Sequence, residues 1–342
     1  MDTAMSRYAR ASLDPTEIAP RDFDHYRALW QQAERLELLT AHPLHLDLEL
    51  TSRCNLRCAM CWQSGELTAP MGFMADDLFK RLVDDGLGRG LAAIKLQIRG
   101  ESTLHPHIAE LAGYAKRAGV LDVQLTTNGT ILGQKPRVLD GLLQSGLDKL
   151  IFSIDPAHDQ SAVEIYGAER APDVRRAVAD TMAFRGAHGL GGPKVRIQTF
   201  VLGDQTAEQR LAEVQADFPD VDEYIINPLW NSKWDEDSIA GLATDYDLLP
   251  CSYLWTRLAV FWNGAVHLCC RDYNGLYPLG DAHDSDVGAL WLGQVMMDIR
   301  RAHLAEARGT VPICKNCDVC VRRKETAKPV PGAAAEPLWV RK

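Results

Sequence analysis

The chain has 342 residues, of which 46% are hydrophobic and 24% are charged, and its formal net charge is −9. This composition is typical of a globular protein with a full core, whereas the acidic balance and the lack of a Lys- or Arg-rich run argue against a nucleic-acid partner. No stretch approaches the roughly 20 apolar residues of a membrane span, and residues 1–20 lack the apolar core of a secretion signal. We therefore expect a cytoplasmic protein without a membrane partner.

Residues 1–42 are predicted to form a lead-in segment. Apolar residues recur at helical spacing over residues 22–39, which predicts one helix. We expect this helix to cover the side or the bottom of the domain that follows.

Residues 43–235 are predicted to form an α/β domain in which strands and helices alternate. The predicted strands cover 44–50, 92–98, 120–125, 149–154, 194–201 and 223–226. The predicted helices cover 75–86, 107–118, 136–144, 172–187 and 207–218. This alternation implies a parallel sheet with helices on its outside. In barrels built this way, functional side chains lie on the loops after the carboxyl ends of the strands.

Residues 236–325 are predicted to form a second, smaller domain. A β-hairpin is expected over residues 258–268, because Asn263-Gly264 is a strong turn signal between two apolar runs. A short helix over residues 287–300 and a cysteine-bearing loop follow. Residues 326–342 contain repeated Pro, Gly and Ala and are predicted to form a flexible tail or a strap over the surface.

The nine cysteines fall into three groups, at 54–61, 251–270 and 314–320. An odd count in clusters argues against a disulfide framework and predicts metal ligands in a reducing compartment. The first group has the spacing C-x3-C-x2-C and follows the first predicted strand. Three thiolates on one loop can hold three irons of a [4Fe–4S] cluster and leave the fourth iron open for reaction. Zinc loops more often show paired C-x2-C knuckles.

This first group resembles the signature of the radical SAM superfamily, and it reads Cys54-Asn55-Leu56-Arg57-Cys58-Ala59-Met60-Cys61. The resemblance implies a partial (β/α)6 barrel, with Met60 at the hydrophobic position of the motif. It also implies that S-adenosylmethionine (SAM) chelates the open iron held by Cys54, Cys58 and Cys61. An electron from an external donor such as flavodoxin or ferredoxin then yields a 5′-deoxyadenosyl radical.

Loops after the next strands resemble SAM-binding segments of the same family. Residues 99–101 match the family's Gly-Gly-Glu segment, which binds the methionine amino group, except that Arg99 replaces the first Gly. Residues 126–129 and 153–155 resemble segments that reach the ribose and the carboxylate. Taken alone, these pairs would be ordinary turns, and an amide inside the fifth strand would be an ordinary core residue. The resemblance implies a SAM site formed by Met60, Gly100, Glu101, Thr127, Asn128, Ser153 and Asp155. Gln198, from its position inside the fifth predicted strand, is expected to face the barrel lumen towards SAM or else to be a satisfied core amide.

The C-terminal cysteines resemble those of a SPASM/twitch domain. Spacing and resemblance select Cys251, Cys269, Cys314 and Cys317 as ligands of a second [4Fe–4S] cluster, and Cys320 is able to replace one of the last two. The full SPASM form holds two additional clusters and needs more thiols than the six present here, so the four-ligand twitch form fits better. Cys270 should point to the opposite face of the hairpin from its neighbour. A zinc ribbon is the alternative for such C-x2-C pairs.

A second cluster beside a radical site offers an acceptor for one electron. Loss of a hydrogen atom from a carbinol carbon, then of the hydroxyl proton and one electron, gives a ketone. This chemistry suits a polar small-molecule substrate such as a sugar or aminocyclitol, as in the twitch-bearing dehydrogenases of aminoglycoside biosynthesis that the chain resembles. The candidates for the general base are Arg196, His105 and Asp155. Asn227 and Trp230, after the sixth strand, are candidate substrate contacts, or else belong to a linker packed against the second domain.

Three other functions fit parts of the sequence. An epimerase would return a hydrogen atom from a thiol, for which Cys320 and Cys270 are candidates. A maturase of ribosomal peptides usually carries a leader-binding domain, and the 42 residues before the first strand are too few for one. A zinc-binding scaffold would explain the C-terminal cysteines but not the loops after the first four strands.

Overall fold

The computed structural model describes residues 10–58, 61, 63, 68–154, 170–201, 205–227, 246–315, 317, 319–323 and 338–341. Three residues predicted to bind SAM or substrate, Met60, Asp155 and Trp230, lie outside the described residues. Within the described ranges, ten strands share one sheet.

The lead-in segment contains two short strands and one helix. Strand β1 (Pro15–Thr16) pairs in parallel with β2 (Leu39–Thr40), and helix α1 (Phe23–Glu34) lies between them. The Asp22 side chain accepts a hydrogen bond from the His25 N–H at 2.8 Å and caps the helix. The helix is shorter than the predicted 22–39, because Leu36 adopts a left-handed backbone with φ of 65° and turns the chain into β2.

The centre of the sheet consists of six parallel strands in chain order. They are β3 (His45–Leu48), β4 (Ala93–Lys95), β5 (Asp122–Thr127), β6 (Lys149–Ser153), β7 (Lys194–Phe200) and β8 (Glu223–Asn227). The helices around them are α2 (Asp76–Leu87), α3 (Ile108–Ala118), α4 (Thr130–Gln134), α5 (Pro136–Gln144), α6 (Ala171–His188) and α7 (Ala207–Asp217). This is the predicted α/β partial barrel.

The first barrel strand shows why the interior of the barrel is polar. Its outer face consists of leucines that are fully buried against the helices, at positions 44, 46, 48 and 50. The residues between them, His45, Asp47 and Glu49, point to the other face and are also buried. Successive side chains of a strand alternate between faces, so every second residue of β3 lines the lumen. The same alternation places charged and amide side chains inside the barrel on the neighbouring strands.

The C-terminal region adds to the same sheet. Its elements are β9 (Tyr246–Leu248), α8 (Tyr253–Thr256), β10 (Arg257–Val260), β11 (Ala265–His267), β12 (Pro278–Asp281), α9 (Val287–Trp291), α10 (Gln294–Leu304), α11 (Pro312–Lys315), β13 (Val321–Arg323) and β14 (Leu338–Arg341). Strand β10 pairs in parallel with β3, from Arg257 opposite His45 to Val260 opposite Leu48. The predicted hairpin therefore extends the barrel sheet instead of forming a sheet of its own.

Two buried tryptophans attach the C-terminal region to the lead-in segment. The Trp291 indole donates to the Thr40 carbonyl at 2.8 Å, and the Trp255 indole donates to the Ser12 carbonyl at 3.0 Å. Both side chains are fully buried in the main core. The C-terminal region and the barrel therefore share one hydrophobic core.

The last strand corrects a prediction. Residues 326–342 were expected to be a flexible tail or a strap over the surface, but Leu338–Arg341 pairs antiparallel with β8, with Trp339 opposite Ile225. A flexible tail is the wrong prediction for these four residues, because a strand added at a sheet edge is stabilised by backbone groups more than a hundred residues away. Within the described part of the chain, no helix has the length and hydrophobicity needed to cross a membrane.

Deleting residues 338–342 is expected to lower Tm by a few degrees, because it exposes the edge of β8 and removes the stacking of Trp339 on Arg196 at 4.7 Å. Thermal unfolding followed by circular dichroism measures this. Arg341→Ala, which removes only a side chain 69% exposed and 3.6 Å from Glu223, is the matched control with almost no expected change. A truncated protein with the wild-type Tm would contradict this placement of the strand.

Candidate active site

The N-terminal cysteine loop is anchored to neighbouring loops by side-chain bonds. Cys54, Cys58 and Cys61 are half-buried on the segment that follows β3. The Leu56 N–H donates to the Cys54 sulfur at 3.4 Å. Asn55 donates to the Thr130 hydroxyl at 2.7 Å, which joins the loop to the start of α4. Burial raises the pKa of the Cys54 thiol, although the Leu56 N–H opposes the shift, so this thiol gives up a proton when it binds metal.

Gly100 lies directly against this loop. It has a φ of 66°, and a side chain there would stand 2.6 Å from the Arg53 carbonyl oxygen and closer still to that of Thr51. The next residue, Glu101, donates its backbone N–H to the Arg53 carbonyl at 2.8 Å. Only glycine fits this approach of two backbones. The segment resembling the Gly-Gly-Glu motif is therefore in contact with the cysteine loop.

The Glu101 side chain is fully engaged inside the protein. One carboxylate oxygen accepts from the Thr103 hydroxyl at 2.6 Å and from the Thr127 hydroxyl at 2.7 Å, and the other accepts from the Asn128 N–H at 2.6 Å. Burial raises the pKa of Glu101, against the effect of these hydrogen bonds. The carboxylate thus ties the ends of β4 and β5 together. Glu101 remains a predicted contact of the SAM amino group, through its carboxylate or its backbone.

The remaining predicted SAM ligands divide into two groups. Asn128 donates to Asn55 at 2.9 Å and accepts from the Thr130 N–H at 3.0 Å, so its side chain, like that of Thr127, holds the loops together. Ser153 and Gln198 are register partners at the ends of β6 and β7. Gln198 lines the barrel lumen, as predicted from its position in the strand.

The lumen forms a cavity of about 1620 Å³. It runs from the amino ends of the strands to Gln198 and Asn227 near their carboxyl ends. Aromatic residues form part of its wall, among them Tyr26, Trp30, Tyr253 and Trp339, which come from three segments. Its charged wall comes from alternate strand positions and from β14, and it includes His45, Lys95, Asp122, Lys149, Arg196, Glu223, Arg257 and Arg341. Predicted residues Arg196 and Asn227 therefore face one space.

Glu223 organises the charges on one side of the cavity. It pairs with Arg196 through the guanidinium Nε at 2.7 Å and with Lys149 at 3.5 Å. Burial raises the pKa of Glu223, but Arg196 and Lys149 more than offset this, so the pKa lies below its usual value. Trp339 stacks on Arg196 with 4.7 Å between guanidinium and ring centre. Arg196 is thus held as a charged wall residue.

Lys95 and Trp339 are cavity residues that sequence reasoning missed. Lys95 is the last residue of β4 and faces the lumen, and it donates no hydrogen bond within the described part of the chain. Burial lowers the pKa of its amine, and Asp47 opposes the shift. A lysine at the end of an apolar strand is the signal that could have revealed it. No local signal could have revealed Trp339, because its place depends on distant pairing with β8.

His105 does not belong to the site. Its Nε2 lies 2.9 Å from the Met74 carbonyl oxygen, and its Nδ1 accepts from the His107 N–H at 3.2 Å. The ring is buried, and burial lowers its pKa. Both nitrogens are used in connecting the loop after β4 to the segment before α2. The prediction of His105 as a general base is therefore wrong.

A second thiol site lies between the hairpin and the C-terminal loop. A small cavity there is lined by four cysteines, Cys251, Cys269, Cys314 and Cys317. Buried Arg308 donates to the carbonyl oxygens of Cys314, Cys317 and Cys320 at 3.1, 2.5 and 3.0 Å. Burial raises the pKa of Cys314 to about 12. One guanidinium thus fixes the backbone of the whole loop around the thiols.

The two other C-terminal thiols lie in different places. Cys320 has a φ of 56° and does not line the small cavity. Its hydrogen bond with Cys251 lowers the pKa of Cys320 to about 6. Cys270 packs against Ile98, Ala259 and Phe261 on the opposite side of the hairpin. Burial raises the pKa of Cys270, and Asp47, Arg257 and Lys95 of the barrel interior also act on this thiol, which places it on the barrel side.

The donor chemistry of both thiol sites fits iron–sulfur clusters. None of the nine cysteines forms a disulfide bond. Among the described residues, no three His, Cys, Asp or Glu side chains come together as ligands of a single ion. A zinc ion binds four ligands that each lie about 2.3 Å from it, whereas a cubane cluster binds thiols that are farther apart. The thiol spacing therefore favours clusters over a zinc ribbon.

Comparisons with known proteins agree with this geometry. A family model described as the radical SAM superfamily matches residues 48–212, and one described as the SPASM iron–sulfur cluster-binding domain matches residues 251–318. GTP 3′,8-cyclase of Stenotrophomonas maltophilia (strain R551-3) is 32% identical over 160 residues, which are 46% of each chain. The chain therefore spans about half the length of the curated relatives it matches.

Solved structures share the fold at low identity. BtrN in complex with AdoMet and 2-DOIA is 19% identical with a TM-score of 0.53, over 80% of this chain and 92% of that one. Streptococcus suis SuiB bound to precursor peptide SuiA is 15% identical with a TM-score of 0.60, over 86% of this chain and 76% of that one. At identities this low, the structural matches establish only the shared fold. The activity has to be argued from the site.

The small cavity makes a prediction about the fourth auxiliary ligand. Cys317→Ser is expected to lower the iron content of anaerobically reconstituted protein from about eight to about four, because it removes a cluster ligand. Cys320→Ser is the matched control and should keep about eight irons. Iron analysis together with visible absorbance measures both. The reverse result would make Cys320 the ligand.

Proposed function

Because the chain belongs to the radical SAM superfamily and carries a C-terminal SPASM domain, we propose that it is an oxidoreductase that converts a carbinol of a sugar or aminocyclitol into a ketone. As a member of this family it uses SAM and [4Fe–4S] clusters. The observation that carries the proposal is the position of Tyr253, which lines both the large lumen cavity and the small cavity of the auxiliary thiols. One side chain therefore separates the substrate space from the electron acceptor.

Cys54, Cys58 and Cys61 would hold the N-terminal cluster, which with SAM would supply a 5′-deoxyadenosyl radical for hydrogen abstraction from the substrate. The residues of the chain provide the remaining steps. Loss of the hydroxyl proton needs a base in the lumen. Lys95 is suited to this role, because burial lowers the pKa of its amine and no hydrogen bond to a described residue occupies it. The electron left on the substrate needs an acceptor, which the thiols of Cys251, Cys269, Cys314 and Cys317 would hold.

The cavity wall supports a polar ring as substrate. Aromatic faces from Tyr253 and Trp339 are combined with amide and charged groups such as Gln198, Asn227 and Asp122. A polyhydroxylated or amino-substituted ring needs donors and acceptors of both kinds at fixed reach, together with an apolar surface for its C–H face. BtrN, which shares this fold, has been crystallised in complex with 2-DOIA, and 2-DOIA is therefore the first compound to test here.

An external electron donor such as flavodoxin or ferredoxin completes the proposed system. Nine cysteines without a disulfide bond, together with the clusters, suit a reducing cytoplasm. Nucleic acid and membrane have no part in the proposed reaction.

A radical epimerase is the second candidate, and Cys270 favours it. The thiol lies on the barrel side of the hairpin, beside Ile98 and Phe261, where a hydrogen donor would be needed. Cys320, by contrast, lies beside Cys251 on the auxiliary side, which weakens its claim as the donor. An epimerase would return hydrogen to carbon and leave the substrate mass unchanged in ordinary water.

Incubation of reduced, reconstituted enzyme with SAM and 2-DOIA, or with other aminocyclitols and hexoses, tests the reaction. The expected product has two hydrogens fewer than the substrate and forms in proportion to 5′-deoxyadenosine, as mass spectrometry measures. Cys58→Ala should form no 5′-deoxyadenosine, because it loses a ligand of the SAM-binding cluster. Solvent deuterium on carbon without a loss of mass would identify an epimerase and overturn the dehydrogenase proposal.

Lys95→Gln tests the base. Ketone formation is expected to fall by about 10²-fold or more, because the hydroxyl proton loses its acceptor. Hydrogen abstraction should persist. It is measured as the transfer of deuterium from labelled substrate into 5′-deoxyadenosine. Because the pKa of Lys95 is lowered, wild-type activity should rise with pH as the amine becomes neutral. The variant should not show this rise of activity with pH. Lys116→Gln, outside the lumen and paired with Asp148, is the control with near wild-type turnover. Equal losses in both variants would exclude Lys95 as the base.

A further inference from the structure

Arg99 stands where the family pattern has its first glycine, and the structure gives it a defined set of partners. Its guanidinium forms a two-pronged ion pair with Glu49, with Nε to Oε1 at 2.5 Å and Nη2 to Oε2 at 2.7 Å. The two side chains are only 2% and 0% exposed. An ion pair this buried is costly to break, because removal of one partner leaves the other charge without compensation.

The remaining contacts of the pair reach the auxiliary region. The third arginine nitrogen, Nη1, donates to the Tyr273 carbonyl at 2.7 Å, and the guanidinium lies 3.9 Å from the centre of the Phe261 ring. The Trp262 N–H donates to Glu49 at 3.3 Å. Two residues of the barrel are therefore bonded to both ends of the segment that carries the auxiliary hairpin.

The segment from Cys269 to Gly275 is a compact turn. The Asp272 N–H donates to the Cys269 carbonyl at 3.2 Å, and the Gly275 N–H donates to the Asp272 carbonyl at 3.0 Å. The Asp272 carboxylate accepts from the Leu276 and Tyr277 N–H groups at 2.8 Å each. A change in the position of Cys269, a predicted cluster ligand, therefore moves the carbonyl of Tyr273 that Arg99 binds.

On its other side, Arg99 is covalently joined to the SAM-binding segment. Gly100 follows directly and leaves no space against the Thr51 and Arg53 carbonyls, and the Glu101 N–H is bonded to Arg53. A shift of Arg99 is therefore transmitted to the segment and to the cysteine loop beneath it. Close-packed interiors transmit small displacements in this way instead of absorbing them.

We propose that Arg99 is a positioning residue that couples the auxiliary thiol site to the SAM site. With the auxiliary cluster in place, Cys269 and its turn hold the Tyr273 carbonyl where Arg99 needs it, and the Gly100–Glu101 segment keeps the conformation that binds SAM. Lysine cannot replace this arginine, because three donors in a planar fork serve Glu49 and Tyr273 at once. Coupling of this kind is reciprocal, so SAM should also stabilise the auxiliary site.

The coupling is measured as SAM affinity in four reconstituted proteins without substrate, from the change that added SAM causes in the spectrum of the N-terminal cluster. The proteins are wild type, Cys317→Ser, Arg99→Gln and the double variant. Cys317→Ser is expected to weaken SAM binding about tenfold, and Arg99→Gln by a similar factor. The double variant should bind no more weakly than Arg99→Gln alone. The proposal would be overturned if the losses of SAM affinity in the two single variants multiply in the double variant. A wild-type SAM affinity in Arg99→Gln would also overturn it.

Matched variants separate positioning from general damage. Arg300 is a fully buried arginine of the same region that bonds the Leu254 and Trp291 carbonyls and not the SAM segment, so Arg300→Lys should leave the coupling intact. If Arg99→Gln fails to retain the N-terminal cluster, Phe261→Leu removes the ring under the guanidinium and keeps the ion pair. The Phe261→Leu variant should show at most half of the wild-type coupling between the auxiliary site and SAM affinity. Full coupling in this variant would refute the role of Arg99. Because no substrate is present, this result is independent of the proposed dehydrogenation.

Discussion

The parallel pairing of β10 with β3 is the constraint on which the rest of the site depends. It places the hairpin that leads into Cys269 in the same sheet as the strand that leads into Cys54, so both thiol sites are built on one sheet. Without this pairing, the second site would belong to a separate domain at an undefined distance from the first. Tyr253 then lies at the boundary of the two cavities because α8 leads directly into β10. Oxidation of a radical by a second centre requires such proximity, and the sheet itself supplies it.

A polar lumen inside a protein has to be compensated by pairing, and the partners are spread over several strands. Glu223 of β8 binds Arg196 of β7 and Lys149 of β6, and Glu49 binds Arg99 across β3 and the loop after β4. Each pair satisfies charges that burial would otherwise penalise, and each also fixes the spacing of neighbouring strand ends. Lys95 is the exception among these basic groups within the described residues, since no salt bridge neutralises it. An unneutralised amine in a charged cavity is the kind of group that proton transfer uses.

Local patterns in the sequence predicted the barrel and the thiols, because both depend on short-range spacing. The short apolar stretch 44–50 predicted a strand, and C-x3-C-x2-C predicted three metal ligands on one loop. The errors arise where long-range contacts decide. His105 was a candidate general base, but its Nε2 lies 2.9 Å from the carbonyl oxygen of Met74, 31 residues earlier in the chain. Strand β14 was missed because its partner is distant in sequence.

The replacement of a glycine by Arg99 shows how a departure from a motif can itself be informative. Sequence comparison alone would count the position as a weakened match to the SAM segment. In the structure, the added side chain joins the SAM segment, the strand before the cysteine loop and the turn that carries Cys269, through Glu49 and the Tyr273 carbonyl. A glycine there would leave Glu49 buried without a countercharge. The substitution therefore makes sense only in a protein where the hairpin lies against the barrel, which ties this one residue to the pairing of β10 with β3.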